Sequence, residues 1–477
     1  MTRPPPLNLH TPLAAFVRRT PVTAAPETPL REVVEMMAGE RVGSVVVVES
    51  ESQRPIGIFT LRDLLRLVAA GGLDLDTMVA GAMTDSGLIM LHWRSTAYQA
   101  EIMLARHGVH HVIVVDATGR LAGIVSQSDI LDLQRGGIKA IAGAIRSARD
   151  MEALCAAAED IRRIARQMLN DGSAAEALTQ SISTLNDQLA LRILELTRLD
   201  FALPKVRWCW VALGSEGRFE QTLSTDQDNG ILFDAAADAD IVRAALLPFA
   251  REVNARLAHC GFPLCKGEIM AGNPALCLSL SEWKERFNGW LRCTNPDALL
   301  NATIYFDFRP IYGDENLAEA LRAWLCDAIP EESAFLRLMA ENAVRAQPPL
   351  GLIREFAFDD NAVFPHTLDL KAFGARPFVD AARTLALAHG VAATSTAERL
   401  RELQRQGTLG NEDVEAIIDG FYFIQALRLR QQHGETIAGG ENRIDPDTLN
   451  ELDRNVLKIA FRQARKLQQK LQLEYRV

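Results

Sequence analysis

One segment near the start of this chain occurs twice, and that duplication limits the possible folds more than any other feature. Val45-Val-Val-Val48, a turn-rich stretch and Gly57-Ile-Phe-Thr-Leu-Arg-Asp63 are echoed by Val112-Ile-Val-Val115, a turn and Gly123-Ile-Val-Ser-Gln-Ser-Asp129. Gly57 and Gly123 stand 66 residues apart. Each copy opens on a helical pattern, Leu30 to Ala38 and Ala97 to Arg106, passes through two short β-branched strands and closes on a helix beginning near Asp63 or Asp129. A unit this small hides its apolar faces best against its twin, so the two copies are expected to form one globule.

The repeat resembles a CBS-domain pair over residues 10–135. In that family the Gly-hydrophobic-x-Thr/Ser-x-x-Asp ending, here Thr60 with Asp63 and Ser126 with Asp129, binds the ribose and phosphates of adenosine compounds in many members. The resemblance therefore implies an adenosine nucleotide as partner. A carboxylate near a helix start can accept from ribose hydroxyls, while Thr or Ser and free amides face phosphate. The same residue types are also favoured helix N-caps, which is the alternative reading of all four.

At 477 residues the chain is too long for one ordinary core and suggests about three units of roughly 100–200 residues. Hydrophobic residues at 48% and charged residues at 23% let each unit bury a core. A formal charge of -10 argues against non-specific nucleic-acid binding, which rests on basic residues. Prolines at positions 4–6 stand where a signal peptide needs its apolar stretch, and no run approaches the roughly 18 apolar residues of a membrane span. A cytoplasmic protein without membrane partners is expected. The seven cysteines are scattered without a CxxC pair, which points to reduced structural thiols. His259 and the His110-His111 pair lack metal-ligand spacing.

The stretch that carries chemistry begins with a buried strand, Val206 to Leu213, running into Gly214-Ser215 and, after ten residues, Asp226-Gln-Asp228-Asn. A second strand is expected over Asp226 to Phe233, its alternation placing Asp226 and Asp228 side by side. Two adjacent carboxylates repel unless a cation sits between them, and Mg2+ takes such oxygen ligands while leaving positions for substrate oxygens. Gly214 lets the backbone approach a ligand closely, and Ser215 offers a hydroxyl and an amide to a triphosphate.

This arrangement resembles the polymerase beta nucleotidyltransferase superfamily. The narrower form, Gly214-Ser-x-Gly217-Arg218-x-Glu220 followed by Thr225-Asp226-Gln227-Asp228-Asn229, looks like nucleotidyltransferases found behind CBS pairs, similar to PII uridylyltransferases and glutamine synthetase adenylyltransferases. The likeness continues through Cys265 to Asn273, Leu278 to Trp283 and Phe306 to Gly313. It implies Asp226 and Asp228 as metal ligands and catalytic residues, with Gly214, Ser215, Arg218 and Glu220 around the nucleotide. Arg218 would neutralise phosphate charge and Glu220 anchor it or the loop, unless the two are only a local ion pair. Nucleotidyl transfer commonly uses a third carboxylate. Glu268, read as lying in the strand after the 238–260 helix, is favoured by element order over Asp307, read as lying in a strand from Thr303 to Phe308. Lys266 is a further phosphate candidate. The superfamily often places apolar residues where this chain has Gln227 and Asn229.

The expected architecture is α+β and multidomain: the CBS pair at 10–135, a helical connector at 138–200, a nucleotidyltransferase core with a mixed sheet at 201–330 and a helical bundle at 331–477. Leu368 to Gly390, Thr396 to Leu400 and Leu427 to Gln432 resemble the helical substrate-binding domain that accompanies the family, so Lys371, Arg376 and Arg383 are candidates to face nucleotide or acceptor. The resemblance implies an enzyme transferring a nucleotidyl group from a nucleoside triphosphate to an acceptor, a small signalling protein foremost and a small molecule such as an aminoglycoside in third place. The other class is an inactive adenosine-nucleotide sensor. A third carboxylate converging on the Asp pair separates the two. A homodimer is the expected assembly.

Overall fold

Val45 to Val48 and Val112 to Val115 are β-branched runs, which pleat well, and each lies at the centre of a three-stranded sheet. The computed structural model describes residues 11–17, 21–40, 42–71, 74–234, 238–293, 295, 299, 302–351, 355–358, 363–433 and 440–477. These fall into two compact units divided between Ala140 and Ile141.

In the first unit, β1 (Thr23–Ala24), β2 (Ser44–Val48) and β3 (Pro55–Thr60) form one sheet, and β4 (Met90–His92), β5 (His111–Val115) and β6 (Leu121–Ser126) form the other. Both have the same pairing, parallel then antiparallel. Both also carry a register shift at the same place, Val47/Val48 and Val114/Val115. Val46 and Val48 of the first copy share an apolar cluster with Ile113 of the second, so the repeats do close on each other. The helices Leu61–Ala69 and Gln127–Ser147 begin where the Thr/Ser-x-x-Asp endings place them.

The second unit is built on a four-stranded mixed sheet in the order β10-β7-β8-β9. Its strands are β7 (Trp208–Ala212), β8 (Asn229–Phe233), β9 (Cys277–Ser279) and β10 (Arg309–Gly313). Every residue of β7 and β8 is buried, which explains their unbroken apolar runs: both faces are covered. Cys209, Val211 and Leu232 pack with Trp283, Phe287 and Leu321 from the helices Leu280–Leu291 and Glu315–Ala328. On the opposite face Trp208 meets Phe249 of the helix Ala239–His259, ring centroids 5.5 Å apart.

The helices Met151–Asn170 and Ala175–Arg198, expected as a connector, pack on each other and belong to this unit. The C-terminal helices enclose a separate core around Phe378, Phe421 and Phe461. Three local expectations are corrected. Thr303–Phe306 is a 3-10 turn rather than a strand, and Asp307 lies between it and β10. Glu268 sits in a turn at φ 56°, not in a strand. The strand expected from Asp226 begins at Asn229. Among the described residues no helix is long and apolar enough to cross a membrane.

Candidate active site

β7 delivers the chain to Gly214, which adopts φ 57° and opens the short helical turn Gly214–Gly217. A Cβ at position 214 would lie 3.0 Å from Asp228 Oδ2 and 2.9 Å from Ile304 Cγ1, so only glycine lets the loop come this close to the acid. Gly217 is constrained in the same way, because a Cβ there would collide with the Asp307 carbonyl oxygen.

Asp226 and Asp228 converge as expected, and a third group joins them: ligand atoms of Asp226, Asp228 and Cys265 all lie within 4.8 Å of one another. Burial and the neighbouring Asp226 charge push the Asp228 carboxyl up to about 7. The Cys265 thiol hydrogen-bonds to it and, with the positive charges of Lys371 and Arg218, acts in the opposite direction. Burial raises the Cys265 thiol too, so it stays protonated and serves as donor. In the sequence Cys265 is one of seven scattered cysteines, and spacing alone carries no signal for its place here.

Gln227 and Asn229 point the other way and are buried. Gln227 Nε2 donates to the carbonyls of Asn254 and Phe262, and its backbone amide donates to Pro263 O. Asn254 Nδ2 donates to Gln227 Oε1 and to Asn229 Oδ1, which also accepts from the Ala271 amide. The two amides thus fasten the acidic segment to the helix Ala239–His259 and the loop behind it. That is why this chain has polar residues where the superfamily often has apolar ones.

Neither expected third carboxylate joins the pair. Asp307 is fully buried, and its oxygens accept from Arg383 Nε and Nη2 and from Arg218 Nη1, with Arg399 Nη2 2.7 Å away. Burial would raise the Asp307 carboxyl, but the guanidinium groups of Arg383, Arg399 and Arg218 overcome it and hold the group well below the usual carboxylate range. Asp307, expected as an alternative third acid, is thus the hub of three guanidinium groups and does not belong to the Asp226/Asp228/Cys265 cluster. Glu268 is exposed and does not share the cluster.

Arg218 also belongs to this hub, bridging Glu220 (2.7 Å) and Asp307 (2.7 Å) as the expected local ion pair. Glu220 anchors the loop: its Oε1 accepts from the Thr396 amide while Thr394 Oγ1 donates to Gly217 O. Arg383 is 3% exposed and committed to Asp307 and Asp380, and Arg376 pairs with Asp380. Lys371 is exposed, and its charge reaches Asp228 from the π-helical turn Leu370–Ala375. Sequence reasoning passes over Glu216, whose carboxyl is pushed up to about 8 by burial and by the Asp187 and Asp228 charges. His110 Nε2 contacts Arg62 Nη2 at 2.6 Å.

In the first unit, Thr60 and Asp63 line a cavity of about 410 Å³ together with Arg62, Thr84, His110 and His111. Asp63 Oδ2 accepts from the Thr60 amide (3.0 Å) and hydroxyl (2.7 Å), a capping box. Ser126 and Asp129 repeat it, with Asp129 Oδ2 accepting at 2.7 and 2.6 Å. Both motifs therefore cap their helices, and the first also faces a cavity.

Residues 159–297 match the family described as "Putative nucleotidyltransferase DUF294", residues 333–475 match "Putative nucleotidyltransferase substrate binding domain", and 13–70 with 95–136 match the CBS domain. In chain order, then, a CBS pair is followed by regions matching the DUF294 family and the C-terminal domain that accompanies it. An uncharacterized protein of Methanopyrus kandleri is 32% identical over 117 residues, 24% of this chain and 59% of that one. Inosine-5'-monophosphate dehydrogenase of Aquifex aeolicus is 32% identical over 111 residues, 23% of this chain and 22% of that one. The chain thus spans less than two thirds of either relative. A solved CBS domain protein from Pyrobaculum aerophilum, complexed with AMP, is 30% identical over 25% of this chain and 89% of its own, with a TM-score of 0.24. Within the DUF294 match lie the Gly214 loop, both acids and Cys265; Asp307, Lys371 and Arg383 lie beyond it.

Proposed function

We propose that the second unit transfers a nucleotidyl group from a nucleoside triphosphate to an acceptor hydroxyl, and that the CBS pair reads an adenosine nucleotide. The observation that carries this reading is the convergence of Asp226 and Asp228 beside a glycine loop with no room for a side chain between Gly214 and Asp228 Oδ2. The donor set fits Mg2+: two carboxylates with room for phosphate oxygens is its usual protein site, and a thiol that keeps its proton is no ligand for so hard an ion. Bound there, Mg2+ would neutralise phosphate charge during in-line displacement.

The chain's own residues do the rest. Asp226 and Asp228 would hold the cation, and the 214–220 loop is fastened to the helical domain by Glu220, which accepts from the Thr396 amide, and by Gly217 O, which accepts from Thr394 Oγ1. Lys371 brings an exposed positive charge to the rim, where a polyphosphate would meet it. A protein side-chain hydroxyl, uridylylated or adenylylated, is the acceptor we favour, presented by the helical domain.

The test is incubation of the protein with each labelled nucleoside triphosphate, Mg2+ and host cell extract, with the Asp226→Asn/Asp228→Asn double variant as control. A labelled acceptor that depends on both acids is expected; labelling at an equal rate by the double variant would overturn the assignment. A specific observation favours the second reading, an inactive nucleotide sensor: among the described residues the third group at the Asp pair is a thiol and not a carboxylate. Calorimetric binding of a nucleoside triphosphate with no labelled product from any of the four would select it.

A further inference from the structure

Cys155 and Cys260 are 105 positions apart in sequence, yet their sulfurs lie 3.1 Å from each other. Cys155 is half-buried on the helix Met151–Asn170, and Cys260 is buried just past the end of the helix Ala239–His259. The same two segments touch again two helical turns along. Arg162 Nη2 donates to Cys260 O at 2.7 Å, and its guanidinium lies 5.7 Å from the centre of the Phe262 ring.

The residues just after Cys260 hold the acidic segment directly. Phe262 O accepts from Gln227 Nε2 at 2.9 Å, and Pro263 O accepts from the Gln227 amide at 3.1 Å. Gln227 is the residue between Asp226 and Asp228. Only two residues therefore separate Cys260 from the carbonyl that holds the backbone of the Asp-x-Asp segment.

We propose that Cys155 and Cys260 are a thiol–disulfide switch that acts on the Asp226–Asp228 segment. The oxidant is a low-molecular-weight disulfide, RSSR. Cys155, the more accessible sulfur, loses its proton and attacks one sulfur of RSSR; the S–S bond breaks and RS⁻ leaves as RSH. Cys260 then loses its proton and attacks the Cys155 sulfur of the mixed disulfide, expelling the second RSH. Two protein thiols are oxidised and one RSSR is reduced to two RSH. Burial and the neighbouring thiol push Cys260 up, so the second step is the slow one.

A disulfide holds its sulfurs about 2.05 Å apart, so closure draws the two segments together by roughly 1 Å. Interiors transmit such displacements because they are closely packed. The Arg162 contact leaves the 260–263 segment little freedom to absorb the movement, and Gln227 is the next attachment.

The full chain, incubated with glutathione disulfide and then digested without reduction, tests the proposal. A peptide pair joining Cys155 to Cys260, two hydrogens lighter than its reduced form and released by dithiothreitol, is expected. Hydrogen–deuterium exchange of the oxidised wild type should differ by about twofold or more over residues 224–233 from the reduced protein. Cys155→Ser, half-buried and therefore tolerant, should show neither change. Glutathione adducts without the Cys155–Cys260 link would overturn the proposal, as would the link with unchanged exchange over 224–233. Both readouts are made on wild-type protein without nucleotide or metal, so their failure is separate from failure of the transfer reading.

Discussion

Arg383 and Asp307 form a doubly bonded ion pair, Nε to Oδ1 at 3.0 Å and Nη2 to Oδ2 at 2.6 Å, in which neither side chain is more than 3% exposed. Arg383 belongs to the helix Arg376–Ala388 of the C-terminal bundle, and Asp307 leads into β10, the edge strand of the four-stranded sheet. Arg218 from the glycine loop and Arg399 from the helix Thr396–Arg405 bind the same carboxylate. Loop, sheet and bundle therefore meet on one buried charge, and the C-terminal bundle is part of what fixes the loop.

Removing that charge should be costly, because three guanidinium groups would be left around a neutral amide. Asp307→Asn is expected to destabilise the second unit by roughly 3–5 kcal/mol, the range for breaking a buried pair from one side. Urea unfolding measures it. The folded carboxyl lies below its unfolded value, so its contribution is present above the unfolded pKa of about 3.9 and disappears as pH falls through the folded value. Wild type should therefore lose stability in acid more steeply than Asp307→Asn. Parallel acid profiles would show that the hub is not what the pH dependence reports.

Asp228 has the opposite sign. Its folded carboxyl is raised to about 7, so the stability it contributes is present below its unfolded pKa and lost as pH rises through 7. Metal-free protein should weaken over that interval, and added Mn2+ or Mg2+ should restore it by neutralising the pair. Cation affinity should climb about tenfold per pH unit below 7 and level off above it, since proton and cation compete for one group. Asp228→Asn should flatten the curve. A pH-independent affinity in the wild type would remove Asp228 from the ligand set.

Cys265 supplies a finer control. Its thiol donates to the Asp228 carboxylate and so favours the charged form. Cys265→Ala should move the midpoint of the cation-affinity curve above 7 and weaken binding at neutral pH, without changing the plateau reached at high pH. A midpoint shifted toward acid would mean that the thiol is not the donor.

These relationships differ in how far the amino-acid sequence exposes them. The repeat, its strands and its capping endings are local, set by β-branched runs and by Thr60/Asp63 and Ser126/Asp129 within three residues of each other, and they are readable. The Gly214 loop and the Asp pair are readable for the same reason. Cys265, Asp307 and Arg383 are not, because each acquires its role from a partner tens of residues away: Cys265 stands 37 positions from Asp228, and Arg383 stands 76 from Asp307. Strand periodicity also misplaces Glu268 and Asp307, since a turn with one left-handed residue and a single 3-10 turn leave no repeating pattern to detect.

The first CBS copy should bind a nucleotide in the cavity beside Thr60 and Arg62. Adenosine nucleotides are expected to raise the melting temperature of the 1–140 unit, by an amount equivalent to about 2.7 kcal/mol at a hundred times Kd. Asp63→Ala also removes the N3 half of the capping box that Thr60 begins, so the ligand-induced shift and not the starting temperature must be compared. Arg62→Ala should reduce the shift for AMP and ATP but spare that for adenosine, if the guanidinium meets phosphate. No shift at millimolar AMP, ADP or ATP would leave Thr60 and Asp63 as caps alone.

The last expectation concerns coupling. The helix Gln127–Ser147 begins at the Ser126/Asp129 cap of the CBS pair and runs unbroken through the division at Ala140/Ile141. A ligand at its start can bias the second unit only if it binds two arrangements of the chain with different affinity, typically by about 1–3 kcal/mol, and that difference is reciprocal. AMP should therefore change the affinity of the Asp226/Asp228 site for Mg2+ with a nucleoside triphosphate, and the triphosphate should change AMP affinity by the same factor. Calorimetric titration of each site with the other empty and then filled measures both factors. Asp63→Ala and Asp228→Asn keep the two binding events apart. Equal factors different from one are the expected result, and two factors of one would make the helix a passive link.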